Sequence, residues 1–182
     1  YAEMTMEAPQ GDPLLLWKRR ARIKNALKKR GVFAPAHAPL AIDLGHFFEP
    51  ARKLWVEQSK RIIEIAAKAG IRKINFHANY SSLISSAALK ELILKNHVKS
   101  LGALAKTGKK HGVLVLLENT HESFKNFRYI TGVKNLFITL DVGHAFMHGG
   151  NALIARYIRA FDTIAHIHAH DNNGKRDEHL AI

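Results

Sequence analysis

The chain has 182 residues, 47% of them hydrophobic and 24% charged, which suits one domain with a sizeable core and is short for two. No uninterrupted apolar run reaches the roughly 20 residues that cross a bilayer, and the absence of cysteine excludes disulfides, thiol nucleophiles and thiolate metal sites. The net charge of +13, with 12 histidines counted as neutral, attracts polyanions or phosphorylated substrates. Tyr1-Ala2-Glu3-Met4 lacks the basic start and apolar run of a signal peptide, and without an initiator Met the sequence reads as processed or partial. A cytoplasmic setting is the expectation from cysteine usage.

Taken in order, Ala2 to Met6 reads as a short strand, and Glu7 to Pro13, with two prolines, as a loop. A helix is predicted from Leu14 to Arg30, stopped by Gly31. Its Lys18-Arg19-Arg20 and Lys28-Lys29-Arg30 clusters are expected to form a solvated basic face, because Leu15, Leu16, Ile23 and Leu27 recur at helical spacing. Val32 to Ala38 is a strand that delivers His37, and Pro39 to Pro50 a long connection. The next helix runs from Ala51 to Ala69, with Ile62, Ile65 and Ala66 marking its buried stripe.

The strand from Arg72 to Phe76 ends at His77, and Ser81 to Lys110 is mostly helical. Val113 to Leu117 is the apolar run of a strand covered on both faces, and it ends at Glu118. A short helix from His121 to Ile130 precedes the strand Leu136 to Leu140, which ends at Asp141. Asn151 to Ala160 is helical and Thr163 to His170 is the last strand, on which His166, His168 and His170 would share one face. Alternating strands and helices predict an α/β fold with parallel strands. Ligand-type residues at successive strand ends predict a (β/α) barrel, whose active sites gather at that rim. About six strands and five helices are visible, where a closed barrel of this type has eight of each.

The chemistry-bearing residues are His37, His77, Glu118, Asp141, His144, His168, Asp177 and His179. A single histidine is more often packed than ligating, and Glu118 alone is as well explained by a salt bridge. Eight such groups at strand ends and on one loop together point to a divalent metal site. His46, His97, His111, His121, His148, His166 and His170 receive no ligand role, and His166 and His170 are expected to support His168 from behind.

His37-Ala38-Pro39, Asn75-Phe76-His77, Leu117-Glu118-Asn119-Thr120, Leu140 to Phe146, His168 to Asp171 and Asp177-Glu178-His179 resemble the xylose isomerase-like TIM-barrel superfamily. That superfamily joins sugar and sugar-phosphate isomerases and epimerases to abasic-site nucleases of the endonuclease IV type. The resemblance implies one partial (β/α)8 barrel domain over residues 1–182, lacking the first strand and the last βα unit, which carries a further metal-binding glutamate. In the isomerase branch it implies one divalent ion (Zn, Mn, Mg or Co) on Glu118, Asp141 and His168, with Glu118 also the catalytic proton carrier. In the nuclease branch it implies up to three zinc ions, on His37 and His77, on bridging Glu118, Asp141 and His168, and on His144, Asp177 and His179.

Leu40, where the nuclease pattern has a tyrosine, and Asn119-Thr120-His121-Glu122, which lacks that pattern's glycines, weigh toward the isomerase/epimerase branch. A sugar or sugar phosphate is then the expected partner, with DNA and a homo-oligomer as alternatives and no membrane. A metal-binding domain without turnover is the third class.

Overall fold

The computed structural model of the protein describes residues 3–79 and 85–181. Six parallel strands, ordered β1 to β6 along the sheet, form an arc of a TIM barrel with the helices outside it. They are β1 (Met4–Thr5), β2 (Ala36–His37), β3 (Lys73–His77), β4 (Leu114–Glu118), β5 (Leu136–Asp141) and β6 (Ile164–His168). The helices are α1 (Pro13–Arg30), α2 (Glu49–Lys68), α3 (Ala87–His111), α4 (Phe124–Ile130) and α5 (Val142–Ala160). No described helix is long and apolar enough to cross a membrane.

Local chemistry sets the helix ends. Asp12 accepts the N–H groups of Leu14 and Leu15 to start α1, and left-handed Gly31 closes it. Ser86 caps α3, and the expected helical start at Ser81 lies outside the described residues. Ala2 of the expected first strand lies outside them as well. Ser123 caps α4, so that helix begins later than His121. The expected strand from Val32 narrows to Ala36–His37, since Pro35 has no N–H to give to a ladder and joins only by its carbonyl, which accepts from Met4.

The largest departure is α5. It begins at Val142, not Asn151, because Asp141 serves as its N-cap and accepts the N–H of His144 at 2.7 Å. The two segments meet at a kink where Gly150 has φ +60°, a conformation open to glycine. Strand β6 stops at His168, two residues short of His170.

Strand alternation sorts the side chains. Ile74 and Phe76, Val115 and Leu117, and Ile138 and Leu140 face outward into the core made with the helices. Asn75 and His77, Leu116 and Glu118, and Thr139 and Asp141 take the opposite face and point into the barrel interior. Phe127 is fully buried on the outer side, with Tyr157 and Phe161 rings 5.5 and 5.7 Å away. Phe127→Ala should lower the unfolding free energy by about 3–5 kcal/mol in urea titrations, and a loss under about 1 kcal/mol would contradict this packing.

Candidate metal centre

The strand register gathers the site. His37 pairs with Asn75, and His77 pairs with Glu118, so β2, β3 and β4 bring their terminal polar groups to one rim. On β6 alternation alone would fail. A bulge leaves Ala165 without an opposite residue, because Ile138 pairs with Ile164 and Thr139 with His166. The slip turns His166 and His168 inward, level with Thr139 and Asp141. Lys73 Nζ reaches across the interior and donates to Ala165 O at 2.6 Å, satisfying a carbonyl at the bulge.

Glu118, 2% exposed, is the junction of the centre. Its Oε2 lies 3.0 Å from His77 Nε2 and 3.6 Å from His37 Nε2, and it also accepts from Asn75 Nδ2. Its Oε1 lies 3.0 Å from His168 Nδ1, which is 3.9 Å from Asp141 Oδ2. The two histidine nitrogens Nε2 of His37 and His77 stand 3.1 Å apart, while His37 Nδ1 donates to Ala38 O at 2.9 Å. That bond fixes the His37 proton on Nδ1 and leaves Nε2 free to ligate.

An outer group adjoins these two. His144 Nε2 is 3.2 Å and His179 Nε2 3.1 Å from the Asp177 carboxylate, and His170 Nε2 is 3.6 Å from it. His144 Nδ1 donates to Asn119 O at 2.9 Å, so this ring too presents Nε2. The His170 side chain is only 6% exposed, yet neither ring nitrogen makes a well-aligned hydrogen bond. Its ring lies against Gly143, where a Cβ would come within 2.2 Å of it.

The donor set fits divalent ions. Ligands at about 2.0–2.1 Å in a tetrahedron stand about 3.3–3.4 Å apart, and the contacts of Glu118 with His37, His77 and His168, of His168 with Asp141, and of Asp177 with His144 and His179, 3.0–3.9 Å, bracket that spacing. Among the described residues four groups bring one atom per residue within 4.8 Å of one another: the three above, and Glu3 with His166 and His168. Nitrogen and carboxylate donors without thiolate are compatible with several ions, zinc among them.

Charge is balanced here by imidazoles. Burial pushes the Glu118 carboxyl up, but hydrogen bonds from His168, His37 and His77 outweigh it and hold the group far below the carboxylate range. Burial pushes His168 down, and Glu118 and Glu3 together outweigh it and lift the ring to about 10. Asp141 is raised, by burial first and by the Glu118 charge. Burial lifts Glu122 to about 7, although its oxygens accept from the N–H and hydroxyl of Thr120. A cation among these groups would take over the role the protonated imidazoles play without it.

The model of the xylose isomerase-like TIM barrel family matches residues 1–182. The chain belongs to this family. Two uncharacterized proteins of Methanocaldococcus jannaschii are each 33% identical to it, over 154 and 162 residues and 80% of the chain. The chain spans 59% and 54% of their lengths. Among solved structures, a D-tagatose 3-epimerase-like protein is 27% identical with a TM-score of 0.82, the match covering 98% of this chain and 70% of that one. The apo form of the E. coli 3-keto-D-glucoside 4-epimerase, 22% identical with a TM-score of 0.73, shares the fold over 94% of this chain and 79% of that one. The xylose isomerase-like fold of this chain is thus the one that sugar epimerases use.

All eight sequence-derived residues line one cavity of about 720 Å³ at the C-terminal ends of the strands. Two assignments change. His170, expected only to support His168, leaves the strand and joins His144, Asp177 and His179, because β6 ends before it and its ring rests on Gly143. Glu3, to which no role was given, reaches His168 Nε2 with Oε2 at 3.0 Å. Its position ahead of the first strand gave no local signal; only a count of inward positions from β1 could have found it.

His121 sits beside the site, its ring 6.4 Å from that of His144. His97 packs under Gly45, and His111 pairs with Glu64 at 3.5 Å, both outside the cavity.

The folded ion-free protein holds on His168 a proton that the unfolded chain releases near pH 6.5. This contribution to stability is complete below pH 6.5 and is lost as pH rises through about 10. His37 and His144, also raised, act with the same sign. His97, lowered to about 4 by burial, acts only below its ordinary value of 6.5. Chelator-treated protein should therefore unfold at progressively lower urea as pH is raised from 6.5 to 10, and a constant or rising midpoint would contradict the assignment.

Proposed function

We propose that the protein is a divalent-metal-dependent sugar or sugar-phosphate isomerase or epimerase. The observation that carries this is Glu118, an ionised carboxylate at the floor of the cavity with each oxygen facing a different histidine group. The family and the D-tagatose 3-epimerase-like relative support the substrate class. Residues that would hold ions are Glu118, Asp141 and His168 at the centre, His37 and His77 beside them, and His144, Asp177 and His179 with His170 on the outside. When bound, a divalent ion there supplies Lewis-acid polarisation of a sugar carbonyl and its neighbouring hydroxyl.

The chain's own groups do the rest. Glu118 is ionised at neutral pH and acceptor-only, so it takes the proton from the carbon beside the carbonyl and returns it. Return to the adjacent carbon, with the neighbouring hydroxyl's proton passing to the former carbonyl oxygen, gives isomerisation; inversion at one carbon needs a second group on the opposite face. Leu40, Ala78 and Ile167 give the cavity apolar walls, and Asn79 and Thr120 stand among its polar groups. Asn119 fastens the rim, its side chain exchanging two hydrogen bonds with the Asp141 backbone at 2.9 and 2.8 Å. Such bracing keeps Glu118 and Asp141 from separating under mutual repulsion.

A second reading, an abasic-site phosphodiesterase, is favoured by one observation: the ligand-type side chains fall into four adjoining groups, more than a single proton transfer requires.

Protein purified without chelator should carry stoichiometric divalent metal by elemental analysis, and its complete absence would sink the metal reading. Offered sugars and sugar phosphates alongside an abasic-site duplex, with and without EDTA, it should convert a sugar in a chelator-sensitive way. Chelator-sensitive nicking of the duplex instead would replace the isomerase reading by the second. Glu118→Gln should reduce turnover by at least about 100-fold while leaving the circular dichroism spectrum unchanged; undiminished turnover would place the chemistry elsewhere.

A further inference from the structure

An imidazole offers a metal only one of its two nitrogens, and the other must give its N–H to something. His168 directs Nδ1 toward Glu118 Oε1 at 3.0 Å and Asp141 Oδ2 at 3.9 Å. On the opposite edge of the ring, Nε2 faces Glu3 Oε2 at 3.0 Å, a close ion-pair distance that is not aligned as a hydrogen bond in the ion-free protein. Glu3 precedes β1 and His168 ends β6, the two strands at opposite ends of the sheet, so this contact crosses the barrel interior. The other Glu3 oxygen lies 4.0 Å from His166 Nε2, which places the carboxylate between two imidazoles of one strand.

We propose that Glu3 is the positioning residue of the centre: when an ion shared with Glu118 and Asp141 takes His168 Nδ1 as a lone pair, the ring turns slightly and Glu3 accepts its Nε2–H. The inference rests on the metal reading of that group. His37, stacked 6.0 Å from His168, holds the ring from the side, and the His166 ring meets it edge-on at 5.1 Å. Neither contact selects a nitrogen. Glu3 does, because a carboxylate can only accept. Outer carboxylates of this kind typically change metal affinity 10–100-fold.

The test is titration of Zn²⁺ and Co²⁺ into chelator-stripped protein, in a background of His37→Ala, His144→Ala and Asp177→Ala that takes ligands from both neighbouring groups. Glu3→Ala should weaken binding about 10–100-fold, and Glu3→Gln, which keeps a carbonyl acceptor, should recover most of it. In the zinc-loaded parent, the His168 Nε2–H should appear by NMR as a slowly exchanging ring proton, and this reading stands even if Glu3→Ala does not fold. A parent that takes up no ion overturns both this proposal and the metal reading. Affinity unchanged by Glu3→Ala overturns the proposal alone, as does an absent ring proton. Equal losses in the Ala and Gln variants overturn it in favour of a bare charge effect.

Discussion

A carboxylate at the end of an apolar strand is the constraint on which the rest of this structure turns. Leu114-Val115-Leu116-Leu117 can be covered on both faces only in the middle of a parallel sheet, and that placement takes Glu118 out of water. A buried carboxylate without partners would cost several kcal/mol or neutralise. Here both oxygens are engaged, by Asn75, His77 and His37 on one side and His168 on the other. Three further strands, β2, β3 and β6, therefore have to arrive at the same height, and the order β1 to β6 with parallel pairing throughout brings them there.

The arrangement is not symmetric in how it is secured. On β2 and β3 ordinary alternation puts His37 and His77 inside. On β6 it takes the Ala165 bulge, with Lys73 on the freed carbonyl, to bring His168 to the same level. Past β6 the loop is closed on itself by an antiparallel bridge between Asp171 and Leu180, and Asn172 Nδ2 donating to Gly143 O at 3.1 Å ties it to the rim. Most of residues 173–181 are exposed, so Asp177 and His179 reach the cavity from a loop with few apolar contacts. An ion shared with His144 and His170 would supply what that loop lacks in packing.

The strong positive charge belongs to another surface. Lys18, Arg19, Lys28, Lys29 and Arg30 lie exposed on α1, while Leu16 is buried and Ile23 and Leu27 half-buried beneath them. Trp17 is covered by Arg20 at 4.0 Å and Lys68 at 4.8 Å from its ring centroid, which engages two of the cations in cation–π contacts. These side chains stand on the helical exterior, away from the residues that line the cavity.

Much of this could be read from residues in order. Short, largely apolar runs followed by a ligand-type residue set the strands and their direction, since a parallel strand exposes its C-terminal end to one rim. Apolar stripes and glycine stops set the helices, and the eight ligand-type residues followed from their places at strand ends. Three features were decided only in three dimensions. The start of α5 at Val142 depends on Asp141 turning its carboxylate to the His144 N–H, a choice between capping and free loop that the tetrapeptide leaves open. The partition of the last histidines depends on a one-residue bulge and on where β6 ends, so His168 stays at the centre while His170 joins the outer group. Glu3 became part of the centre through contact with a residue 165 positions away, across an interior that exists only once the sheet has curved. Local sequence carries propensity and spacing; which side chains meet across the barrel is fixed by register and curvature, and those belong to the whole sheet.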